Sequence, residues 1–123
     1  MSDHAEHLVG VVRGIEGVVL DYSVDSLTIV DRILGGFHDT GDDPDRMAET
    51  LFQFGSYVGE VIVRNADGRW KLLDPDHPLG NHWPMVVLPT ARVANPIGKA
   101  FKRVRNGGVD AIPYFYAALI ETG

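Results

Sequence analysis

The sequence predicts an α+β fold: a single domain, residues 1–123, in the order α-β-α-α-β-β-α-α, with a small antiparallel hairpin packed by helices. Three observations predict it. Apolar residues recur at three- and four-residue steps through several segments, the signature of amphipathic helices. Two short strand-like runs flank a loop with three prolines, "DPDHPLGNHWP". Those strands follow one another instead of alternating with helices, which separates α+β from α/β.

The first helix covers residues 4–15, with Leu8, Val11, Val12 and Ile15 at helical spacing. Gly10 and Gly14 weaken it by about 1 kcal/mol each relative to alanine. Gly17 breaks it, and Val18-Val19-Leu20 reads either as the brief first strand or as an extended connection. Ser23 then offers a hydroxyl as N-cap for the next helix. Asp25 sits where the helix dipole favours an anion. Leu27, Val30, Ile33, Leu34 and Phe37 form its apolar face, and Gly35-Gly36 either end it or let it fray. Asp43-Pro44, a capping carboxylate before a proline, opens a third helix.

The third helix carries Met47, Leu51, Phe54, Val58, Val61 and Ile62 on one face and Phe52, Gly59 and Val63 on another. A helix apolar on two sides belongs between other elements, with Gly55 and Gly59 allowing a neighbour close. Its polar stripe is Arg46, Glu49, Gln53, Glu60 and Arg64. The alternative ends this helix near Tyr57 and makes residues 58–64 a strand. Asp67-Gly68 turns the chain into a strand from Arg69 to Leu73. "MVVLPTARV" is the partner strand, interrupted by Pro89. Asn95-Pro96 caps a helix with Ile97, Phe101 and Val104 inward, Asn106-Gly107-Gly108 turns the chain, and a last helix runs from about Asp110 to Glu121.

Composition narrows the chemistry. There are no cysteines, which excludes disulfides, thiolate metal sites and a cysteine nucleophile. The formal net charge is −6. Nucleic-acid binding is not expected, because phosphate affinity comes from many basic contacts. No apolar run reaches the roughly 18 residues of a membrane span. The N-terminal "MSDHAEHLVGVVRG" lacks the basic start of a signal peptide. The expectation is a soluble cytoplasmic protein with no membrane partner.

Several residues could carry a site. Glu60 and Arg64 stand at i, i+4 with the acid first, the favoured order for a helical ion pair. Read functionally, Glu60 is a general base or ligand anchor beside Tyr57 and Arg64, joined by His77 or His82 from the proline-rich loop. The plainer and favoured reading is a solvated polar stripe. Asp74, Asp76, His77 and His82 have the chemistry of metal ligands, but no spacing that fixes a coordination angle, so no metal and no cofactor is assigned. Trp83, Tyr114 and Tyr116 are candidates for partner contact, since interfaces favour large aromatic residues. Lys99, Lys102, Arg103 and Arg105 read as helix-solvating charges complementing the helix C-terminus. No nucleophile elbow, P-loop or dinucleotide fingerprint is present, and no catalytic residue is assigned.

The segments "YVGEVI" (residues 57–62), "GRW" (68–70) and "FKRV…NGG…YFY" (101–116), with "LDYSVDSL" upstream, resemble small bacterial domains of unknown function. The resemblance implies no activity. The expected function is a non-enzymatic protein-binding or accessory domain, such as an inhibitor or immunity protein facing a basic partner. The alternatives are a small-ligand binder or enzyme built on Glu60, and a homo-oligomeric structural protein.

Overall fold

The computed structural model describes residues 1–121 and places five helices around a three-stranded antiparallel sheet, an α+β fold. The helices are α1 (Ser2–Glu16), α2 (Ser26–Asp39), α3 (Ala48–Ala66), α4 (Pro96–Asn106) and α5 (Ile112–Ile120). The strands are β1 (Arg69–Lys71), β2 (Met85–Val87) and β3 (Val93–Ala94). Single 3₁₀ turns at Pro44–Met47 and Gly108–Asp110 precede α3 and α5.

The observed order is therefore α-α-α-β-β-β-α-α, which corrects the expected one in two places. Residues 18–20 are an extended connection and not a strand, since no strand among the described residues pairs with them. Gly17, at φ 67°, closes α1 by donating its N–H to the Arg13 carbonyl. The second correction lies after β2. The expected single strand through Pro89 folds back on itself: Ala91 takes φ 71°, Leu88 N–H reaches Arg92 O, and β3 pairs with β2. Trp70 faces Val86 across β1–β2, and Val86 faces Ala94 across β2–β3.

The end of α2 and the start of α3 also differ, while the favoured helical reading of residues 58–64 holds. α2 continues through Gly35-Gly36 to Asp39. Gly35 is held for packing: the Arg103 guanidinium crosses it, 2.7 Å from where a β-carbon would stand. Arg103 Nε then reaches Asp31 Oδ1 at 2.8 Å, and the same oxygen accepts the Ile112 N–H at 2.8 Å. α5 has no side-chain cap of its own, so this carboxylate from α2 serves its free N-terminal donors. α3 runs unbroken to Ala66, so residues 58–64 are helix and not strand. Asp43 accepts from Asp45 N–H and caps the 3₁₀ turn before α3, not α3 itself.

α3 is the axis of the molecule. Residues Leu51 and Phe54 through Ile62 are buried. Gly55 meets the backbone of Ile97 in α4 and Gly59 meets the Trp70 ring and Pro96, so these two glycines provide the close approach that a two-sided apolar helix needs. α4 starts as the sequence indicated: Asn95 Oδ1 accepts from Gly98 N–H at 2.9 Å, with Pro96 at the first position. No helix among the described residues is long and apolar enough to cross a membrane.

Candidate functional site

The polar stripe of α3 departs from the plain reading at Glu60. Its residue is only 7% exposed. Trp70 arrives from β1 and donates its indole N–H to Glu60 Oε2 at 2.8 Å, while Arg64 approaches Oε1 at 3.4 Å. Both carboxylate oxygens are thus engaged within the protein. Arg64 continues over the Tyr22 ring, its guanidinium carbon 3.6 Å from the ring centroid.

Tyr57 lies on the same helix and is fully buried. Its hydroxyl is part of a directed chain. Ser26 Oγ donates its only proton to Ser23 O at 2.6 Å, so the Tyr57 hydroxyl must donate to Ser26 Oγ, 2.7 Å away. Tyr57 Oη in turn accepts the Tyr22 N–H at 2.9 Å. Tyr22 stands at φ 63°, unusual for a bulky residue. Its carbonyl accepts from Asn65, and its hydroxyl donates to Glu6. Burial raises the Tyr57 pKa above its ordinary 10.0. The arrangement locks the α1–α2 connection onto α3.

The structure therefore brings Tyr57, Glu60 and Arg64 into one neighbourhood through Tyr22. His77 and His82 are not joined to it by any hydrogen bond or ion pair among the described residues. His77 Nδ1 accepts the Leu79 N–H within its own loop, and His82 lies beside Trp83. No group of three or more potential metal ligands is clustered among the described residues.

The aromatic contact candidates divide. Trp83 stacks on Phe101, with centroids 5.7 Å apart, and donates to Asn95 Oδ1 at 2.8 Å. It secures the loop to α4. Tyr116 is 5% exposed and belongs to the core, because it falls on the inward side of α5 with Ile112. Tyr114 is 72% exposed. The basic residues of α4 are mostly ion-paired: Lys99 to Asp110, Arg103 to Asp31 and Arg105 to Asp45.

A different feature is open to a ligand. A groove of about 600 Å³ runs between α1 and α2 over α3. Its apolar lining is Leu8, Val11, Val12 and Ile15 from α1, Ile33 and Phe37 from α2, and Phe54 from α3. His7, Glu16, Glu49, Thr50 and Gln53 stand among them. Ion-pairing to Arg32 at 3.2 Å holds Glu16. Past Phe37 the groove continues into shallower depressions lined by Thr40, Asp42, Asp43 and Arg46. Neither the groove nor these extensions are lined by Tyr57, Glu60 or Arg64.

The sequence held a signal for this groove. α1 buries Ala5, Leu8 and Val12, leaving Val11 at 38% and Ile15 at 80% exposure. Its apolar arc is wider than the face it buries. Spacing alone places all four apolar residues on one side of the helix and cannot tell which neighbour each will meet. No protein-family model, curated protein or solved structure matches the chain.

Proposed function

We propose that this chain is a non-enzymatic protein-binding domain whose contact surface is the groove between α1, α2 and α3. One observation carries the reading: Ile15 is 80% exposed on the wall of an apolar groove of about 600 Å³. An isolated exposed aliphatic residue is ordinary, but one that extends a continuous apolar concavity marks an interaction site. The polar groups of the lining support binding over catalysis, because no hydrogen bond among the described residues joins His7, Glu49 and Thr50 into a nucleophile–base arrangement. Glu60 adds nothing catalytic to this surface, since Trp70 and Arg64 occupy its oxygens. With a net charge of −6, the favoured partner is basic, and an inhibitor or accessory role toward such a protein is the specific form of the reading.

The test compares the wild-type chain with Ile15→Glu as bait in a lysate of the source organism, with captured proteins identified by mass spectrometry. The exposure of Ile15 leaves the variant folded, which thermal unfolding verifies. A near-stoichiometric protein held by wild type and lost by the variant is the expected result. Equal capture by both baits, or concentration-dependent self-association in light scattering with no other protein bound, would remove this function.

A further inference from the structure

We infer that the occupant of the groove is an amphipathic helix from a basic partner, presenting apolar side chains at i, i+3 or i+4, and i+7, with lysine or arginine along its flank. This rests on the protein-binding reading above and names what that surface takes.

Shape gives the first argument. On α1 the groove extends from His7 to Glu16. At 1.5 Å per residue this wall is about 14 Å long, two and a half helical turns. A facing helix of about ten residues would place three apolar anchors along it. Both walls and the floor are helices, whose ridges and grooves accept another helix at 8–10 Å between axes.

Backbone chemistry gives the second. The groove is walled by α1 and α2 and floored by α3, so it presents no strand edge. An extended peptide gains its affinity from main-chain hydrogen bonds to a sheet edge, and none is available here. A helix brings its backbone already satisfied.

Charge selects among helices. The groove and its extensions past Phe37 carry four carboxylates, Glu16, Asp42, Asp43 and Glu49, against two guanidiniums, Arg32 and Arg46. Glu49 has no ion-pair partner among the described residues. A second copy of this chain would set an acidic rim against an acidic molecule of charge −6. A cationic flank is attracted at the same place.

The inference is tested by displaying random peptides of about 16 residues, long enough to cover the wall, selecting them on the full chain and counter-selecting on Ile15→Glu. Enriched peptides should share three apolar residues at helical spacing and a net positive charge. A synthesised winner should gain helicity on binding, and its affinity should fall about tenfold or more against Glu49→Lys, which reverses a rim charge. Enrichment of acidic, alternating or proline-rich peptides, or no enrichment, would overturn the inference. If the lysate partner is still lost with Ile15→Glu while only extended peptides enrich, the helix is wrong and the binding reading stands. If the captured partner ignores Ile15→Glu, both fall.

Discussion

The hydroxyl of Tyr57 terminates one hydrogen bond and starts another, and a single substitution isolates its contribution. Tyr57→Phe keeps the ring packing and removes the acceptor of the Tyr22 N–H and the donor to Ser26. An unsatisfied buried donor costs about 1–3 kcal/mol, so urea unfolding at neutral pH should show a loss of about 2 kcal/mol. The same group makes stability depend on alkaline pH. Its folded pKa is raised by burial above the ordinary 10.0, so its contribution is complete below pH 10 and is lost as pH rises toward the folded value. Over that window Tyr57→Phe should flatten the decline by about 1.4 kcal/mol per pH unit. An unchanged alkaline slope would show that Tyr57 titrates alike in both states. Glu60 teaches a complementary lesson about residues. Its i, i+4 spacing with Arg64 was plain in the sequence, but its burial was not, because Trp70 reaches it from a strand ten residues away.

At the scale of elements, glycine has opposite values in different helices. Gly10 and Gly14 in α1 face open space, and no atom lies within 4 Å of an added β-carbon. Gly10→Ala should therefore raise stability by about 1 kcal/mol through helix propensity. Gly55→Ala makes the same local gain in α3 but drives a methyl group into the backbone of Ile97. The two helices must separate, and a net loss of about 3 kcal/mol is expected from overpacking. Denaturant titration of the two variants checks the sign directly; a stabilising Gly55→Ala would contradict the contact. The helices themselves were largely legible, since α3 and α4 announce their faces by period, and Asn95 marks the start of α4. The sheet was less so. β3 is two residues long and depends on Ala91 adopting a left-handed backbone, a conformation that side-chain pattern does not encode. The continuation of α2 through two glycines was hidden for a related reason: the Arg103 side chain that lies over Gly35 comes from a helix far along the chain.

At the scale of the molecule, the α+β class and the acidity could be read from the sequence, while the groove depended on how α1 and α2 are set apart across α3. Long-range ties decide that arrangement, and the Asp31 carboxylate is the furthest-reaching. It joins α2 to Arg103, 72 residues on, and to the Ile112 amide, 81 residues on. α5 has only nine residues, fewer than the roughly 12–15 at which an isolated helix becomes even marginal in water. It packs mainly against α2 and α4, and Arg92 donates to the Ala118 and Leu119 carbonyls near its end. A helix this short that leans on α2 and α4 is expected to settle after they meet and to open before the centre of the molecule. Native-state amide exchange should show residues 112–120 opening at a lower free energy than the middle of α3. Asp31→Asn should widen that gap, whereas equal protection along α3 and α5 would mean that the C-terminal helix rises and falls with the rest. A growing chain would pair Asp31 with Arg103 first, and the Ile112 N–H would then join Arg103 on an oxygen already engaged.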